Sequence, residues 1–208
     1  MQQPNLSLGE RWIASFGNRK FRAKFIFFFF TLLITVSLLP LFFQFIETRK
    51  GLVLNDILLN HIPAYNVSLL LFVIIWSVII LSLWRAVNDP PICYLLLSSF
   101  TLLTLLRIFC LYLVPLNPPP GLIVLNDPLS NFFYGSSFIT KDLFFSGHTA
   151  TMFLMYLCLQ KKTEKCYALS AAITVAILVL VQHIHYSIDV IAAPVFTYLI
   201  FKIARKLN

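Results

Sequence analysis

FIFFFFTLLITVSLLPLFFQF, residues 25–45, carries no charged side chain in 21 consecutive positions. A transmembrane helix needs about 20 mostly apolar residues, so this run is long enough to cross a bilayer. No small-residue cleavage site follows a short apolar core near the N-terminus, so the run is expected to stay as an anchor. The segment before it, Met1 to Lys24, is polar and basic, with Trp12 and Phe16 suited to an interfacial amphipathic turn.

Further apolar windows recur along the chain at 64–84, 92–116, 144–159, 166–181 and 188–203. They predict an all-α, polytopic membrane protein of six transmembrane helices, with a basic cytoplasmic segment (1–24) and one membrane catalytic domain (25–208). Asn88-Asp-Pro-Pro91 reads as a tight turn, because proline cannot continue a helix. The last three windows are about 16 residues, or about 24 Å by helical rise, against a hydrocarbon core of about 30 Å. The active face is therefore expected to be recessed, so that a lipid enters sideways. The longest connection, from Asn117 to Lys141, is the loop expected to carry function.

Composition agrees with a membrane protein. Of 208 residues 59% are hydrophobic and 12% charged, with a mean hydropathy of +0.85, whereas soluble domains carry roughly a quarter charged residues. The net charge of +8 does not imply nucleic acid, because the basic residues lie between the apolar runs rather than in one patch. Arg11, Arg19, Lys20, Arg22, Lys24, Arg85, Lys161, Lys162, Lys165, Lys202, Arg205 and Lys206 fall on one side; Arg49, Lys50 and Lys141 fall on the other. Twelve against three makes the rich side, with both termini, cytoplasmic. Cys93, Cys110, Cys158 and Cys166 have neither CxxC nor metal-ligand spacing and read as packing thiols.

Two polar segments interrupt this hydrocarbon: Asp142-Leu-Phe-Phe-Ser-Gly-His-Thr149 and His185-Tyr-Ser-Ile-Asp189. Both fall at the non-cytoplasmic starts of apolar runs, where polar groups are costly and mark functional sites. His185 and Asp189 are four apart and share a helix face. A carboxylate beside one imidazole nitrogen fixes the tautomer and makes the other nitrogen a better nucleophile; the plainer reading is a helix cap. Ser146-Gly147-His148 opens a helix whose free N–H groups suit a phosphate, with His148 available as acid or base; here too a Ser N-cap alone would explain the pattern. Arg107 lies inside the third run, where a guanidinium fits a phosphate or pairs with Asp142 or Asp189. Lys141 and Asp142 either cap the fourth run or touch a headgroup. His61 and His183 lack a partner pattern and read as interfacial polar residues. No histidine–carboxylate cluster has dinuclear-metal spacing, so chemistry with no metal and no cofactor is expected.

Together the two segments resemble the third and fourth motifs of the sphingomyelin synthase family, within the type 2 phosphatidic acid phosphatase superfamily. Arg107 with the proline-rich 115–121 stretch resembles its second motif more loosely. The resemblance implies that superfamily's helical bundle and a phospholipid headgroup transferase with a triad of His148, His185 and Asp189. His185 would attack phosphorus and form a phosphohistidine-type intermediate, Asp189 would orient it, and His148 would shuttle the proton. Arg107, Lys141, Asp142, Ser146, Gly147 and Tyr186 would bind substrate. The partners implied are a membrane phospholipid donor and a ceramide or other lipid hydroxyl acceptor, in a bacterial inner membrane or a Golgi- or ER-type membrane. With water as acceptor the same triad gives a lipid phosphate phosphatase or phospholipase C-type hydrolase, and a non-catalytic lipid-binding or scrambling protein is the alternative outside enzymes. Thr140-Lys141 replaces the family's Cys-Gly, and Ala192-Ala-Pro194 replaces its tyrosine-rich continuation; both bear on headgroup and acceptor choice. The Lys-x6-Arg-Pro motif of the phosphatase branch is absent, which favours transfer.

Overall fold

The structure is a computed structural model that describes residues 6–125 and 139–207. Among these residues it is all-helical: α1 (Leu8–Gly17), α2 (Arg19–Thr48), α3 (Ser68–Asn88), α4 (Pro90–Leu113), α5 (Gly147–Cys158), α6 (Lys162–Val181) and α7 (Ser187–Leu207). The middle of the long 117–141 connection, residues 126–138, lies outside the described residues.

Five helices, α2, α3, α4, α6 and α7, are long and apolar enough to cross a membrane. Among the described residues five of the six expected spans have such a helix. The fourth apolar run forms only the 12 residues of α5, about 18 Å by helical rise. Local chemistry sets this length: Ser146 caps the first turn by accepting the Thr149 N–H, and the helix closes at Leu159, just ahead of Lys161 and Lys162. Nor are the last two helices short. α6 has 20 residues and α7 has 21, because each runs on through the charged residues at the end away from the two motifs. Of these three, only α5 is short.

The prolines of the 88–91 turn separate two helices by starting the second. Asp89 caps α4 by accepting the Ile92 N–H at 3.1 Å, and Pro90 and Pro91 occupy its first positions, where their missing N–H groups cost nothing.

α5 sits at the centre, packed against α3, α4, α6 and α7. Ala150, Met152 and Leu154 are fully buried, so its stability comes from packing on all sides rather than from length. α2 lies on the outside against α4, burying Phe28, Phe43 and Ile46 while Phe27, Phe29 and Phe30 face outward. Such an apolar exterior suits lipid, not water.

The bundle has two distinct ends. At one, the Trp12 indole N–H donates to Val87 O at 2.8 Å, Arg11 reaches Asn88 O at 3.2 Å, and Arg85 pairs with Glu164. At the other, loop 49–67 meets loop 114–125 through a bridge between Leu52 and Leu116. Gly51 permits that approach, since a Cβ there would stand 2.4 Å from the Leu116 carbonyl carbon.

Candidate active site

Both polar segments converge at this second end. The Ser146 N–H donates to the Asp189 carbonyl at 3.1 Å, which fastens the start of α5 to the first turn of α7. Ser146 is fully buried, with its hydroxyl 3.1 Å from Thr149 Oγ1. His148 then projects from the first turn of α5 toward His185, ring centroids 6.0 Å apart at 65°.

Asp189 stands in the first turn of α7, where the helix dipole favours a carboxylate. Its Oδ2 accepts the Tyr186 N–H at 3.0 Å and faces His185 Nδ1 at 3.6 Å. The first contact is the helix cap anticipated above; the second is at ion-pair distance, longer than a hydrogen bond. His185 Nδ1 and Asp189 Oδ1 are buried without a hydrogen-bond partner among the described residues. Buried unpaired polar atoms are costly and concentrate at functional sites, and catalytic hydrogen bonds commonly tighten only with substrate. With Nδ1 turned to the carboxylate, Nε2 of His185 is the nitrogen left for chemistry.

Arg107 joins the same group. Its guanidinium contacts Asp142 Oδ1 at 2.6 Å and donates through Nε to Phe145 O at 3.1 Å. Of the two carboxylates open to it in the sequence, the fold chooses Asp142. The guanidinium lies directly under Gly147, where a Cβ would come within 2.6 Å of Arg107 Cζ. A cation and the positive end of α5 therefore meet beside His148, a combination suited to an anion.

Lys141 and Tyr186 are placed differently. The Lys141 ammonium donates to the carbonyls of Glu47 and Arg49 and so caps the C-terminus of α2. Tyr186 is fully buried; its hydroxyl donates to Asn117 O at 2.9 Å and accepts from Leu54 N–H at 3.2 Å. Both act as struts between loops and the motif backbone.

The structure adds supports that no motif marked. Glu47 accepts the backbone N–H groups of Thr140 and Lys141 at 3.1 and 3.2 Å, which sets the turn carrying Asp142. His183 is buried, with Nδ1 2.9 Å from Pro120 O and Nε2 2.8 Å from Ile62 O; it ties loops together, whereas exposed His61 stays at the surface. Asp56 accepts the Ser187 N–H at 2.6 Å and the Ser187 hydroxyl at 3.0 Å, clamping the residue between His185 and Asp189. These contacts span up to 131 residues, and nothing local in the sequence signals them.

Asp56 gives a pH test. Burial alone would raise its carboxyl, but hydrogen bonds from Ser187 and Leu59 outweigh it and hold the group below its ordinary 3.8. A lowered folded value contributes stability that is complete above the unfolded value and lost as pH falls through the folded one. Asp56→Asn is expected to cost roughly 1 kcal/mol at neutral pH, since the site is partly exposed. The gap to wild type should narrow as pH falls below the ordinary carboxylate value and close below the lowered folded value. Thermal unfolding in detergent across that pH range measures this, and a gap that persists in acid contradicts the assignment.

An apolar cavity of about 140 Å³ opens beside His148, lined along α3 by Leu71, Phe72, Ile75, Trp76 and Ile79, with Ser68 and Leu125 at its edge. His148 is half-buried and faces this space, whereas His185 is enclosed.

Residues 141–206 match the family described as PAP2 superfamily C-terminal, and this segment holds His148, His185 and Asp189. A stretch of 67 residues is 42% identical to the phosphatidylcholine:ceramide cholinephosphotransferase 2 of Homo sapiens, covering 28% of this chain and 18% of that enzyme. The matched stretch thus spans less than a fifth of that relative's length. No solved structure matches the chain. The similarity to sphingomyelin synthase-related enzymes inferred from the two motifs is upheld, as are the similarity to the superfamily over residues 141–206 and the all-helical membrane architecture.

Proposed function

We propose that this chain is a membrane phosphotransferase that moves the phosphoalcohol headgroup of a phospholipid onto the hydroxyl of a lipid acceptor such as ceramide. The observation that carries the proposal is the buried His185–Asp189 pair set against the His148 ring at 6.0 Å, within the segment that matches the PAP2 superfamily C-terminal family; part of the chain is also similar to a cholinephosphotransferase.

Each step balances. His185 Nε2 attacks phosphorus, and the bond from phosphorus to the diacylglycerol oxygen breaks while His148 gives that oxygen its proton. Asp189 holds the Nδ1 side of the imidazole and offsets the positive charge that develops on the ring. His148 then takes the proton of the acceptor hydroxyl as its oxygen attacks phosphorus, which breaks the P–N bond and restores His185. Arg107 and the N–H groups opening α5 bind the phosphate oxygens, with Asp142 holding the guanidinium. Ser146 and Gly147 shape that cradle, while Lys141 and Tyr186 brace it. The charge asymmetry supports a reading with this end of the bundle on the non-cytoplasmic face.

The α3 cavity supplies a place for a lipid chain next to His148. Leu71→Trp, which fills it, is expected to raise KM about tenfold with little change in kcat, because uniform binding is lost. Kinetics in mixed micelles with varied donor lipid measure this; an unchanged KM removes the cavity from the substrate path.

Lipid product analysis by mass spectrometry, on protein in phosphatidylcholine and phosphatidylethanolamine liposomes with and without ceramide, tests the function. A ceramide-dependent phospholipid product is expected. Diacylglycerol and free phosphoalcohol formed equally without ceramide would make the chain a hydrolase instead.

A further inference from the structure

The opposite end of the bundle holds a second feature, independent of the catalytic reading. α1 begins at a capping box in which Ser7 and Glu10 satisfy each other, and it packs against α2 and α4. Trp12 fixes it to the end of α3 through Val87 O, and the Trp12, Phe16, Phe21 and Phe25 rings pack together between α1 and α2. One flank of α1 stays open at Ile13, which is 75% exposed.

Beside that flank the start of α2 meets the end of α7, where the Lys24 ammonium reaches Leu207 O. Exposed Arg19, Lys20 and Arg22 open α2, and exposed Arg205 and Lys206 close α7. None has a carboxylate partner among the described residues. The acids of this end are already committed: Glu10 to the α1 cap, Asp89 to the α4 cap and Glu164 to Arg85. Among the described residues these cations therefore stand without a compensating carboxylate.

We propose that the α1 flank and the α2–α7 junction form a binding site for anionic phospholipid. The lipid phosphate would rest among Arg19, Lys20, Arg22, Arg205 and Lys206, and its chain would lie along Ile13. An acidic peptide matches the charge but leaves Ile13 uncovered; a lipid satisfies both. α1 then lies in the membrane interface with its apolar side toward the acyl chains.

The test reconstitutes the full chain in phosphatidylcholine bilayers carrying spin-labelled phosphatidylglycerol or phosphatidylcholine, and reads the relative association constant from the motionally restricted fraction. Each cation engaged near the surface is worth about fivefold. Phosphatidylglycerol is expected to be preferred at least fivefold at low salt, with the preference collapsing near 1 M salt, where screening is nearly complete. Arg19→Gln, Lys20→Gln, Arg22→Gln, Arg205→Gln and Lys206→Gln combined should abolish it, while Lys161→Gln with Lys162→Gln, on α6, should leave it intact. Equal association of both lipids with the wild-type chain overturns the proposal whether or not the fivefold variant folds. So does loss of the preference in the α6 variant, which would make it a diffuse property of the whole end. Equal lipid association together with salt-sensitive capture of polyglutamate would assign the patch to an acidic peptide and also overturn it.

Discussion

Replacing His185 by alanine is expected to abolish headgroup transfer, on the order of 10⁵-fold or more in kcat, because no other group in the site can carry the phosphoryl centre. The side chain is nearly enclosed, so its removal leaves a hole and a buried Asp189 carboxylate that keeps the Tyr186 N–H but loses the imidazole. That change alone can lower stability by a few kcal/mol, and activity must be read on protein whose unfolding temperature has been measured. Two companions separate chemistry from folding. His185→Asn keeps a polar donor near the carboxylate and should be just as inactive. Asp189→Asn keeps the shape and the cap but loses the charge that orients the ring, and should lose about 10⁴-fold. The readout is diacylglycerol released from labelled phospholipid in liposomes. Transfer that survives in folded His185→Asn protein ends the nucleophile assignment.

Gly147→Ala should produce the second large effect, about 100-fold in kcat/KM, the order seen when one preorganised charge-stabilising donor is lost. On helix propensity alone the substitution favours α5, by up to about 1 kcal/mol. What opposes it is space: the new Cβ would sit 2.6 to 2.8 Å from three atoms of the Arg107 guanidinium. The guanidinium can move only by giving up Asp142 Oδ1 or Phe145 O, and either change withdraws it from the start of α5. The variant should therefore stay folded while losing affinity for the phosphate. Arg107→Lys, which cannot hold both partners through a planar fork, should lose a similar amount and show little further loss when combined with Gly147→Ala. Additive losses in that double variant would mean that glycine and arginine act separately.

Much of this was legible in the chain because membrane physics writes itself in long apolar runs. The helical class, the order of elements and the convergence of two polar segments at one end all follow from hydropathy and the two motifs. What sequence could not resolve was helix length where capping decides it: the run at 144–159 looks like its neighbours until Ser146 and Leu159 are seen to close a 12-residue helix. Nor could it assign partners across the chain. Arg107 had two candidate carboxylates, and packing of α4 against the 139–146 turn chose Asp142. Lys141 and Tyr186 look like substrate contacts from within their motifs, yet one caps α2 and the other joins the loops at 54 and 117. Asp56, Glu47 and His183 were invisible for the same reason. Each makes its decisive contact with residues distant in sequence, where neither spacing nor periodicity carries information.

The most direct test of the covalent route is to trap the headgroup on the protein. Wild-type protein in liposomes would receive a phospholipid labelled in its phosphoalcohol, without acceptor, and be quenched in alkali, under which phosphohistidine-type bonds persist. The account predicts label on the peptide containing His185, chased by ceramide into lipid and absent from His185→Asn protein. Ceramide-dependent product formed with no label on the protein, or with label on another residue, would contradict it.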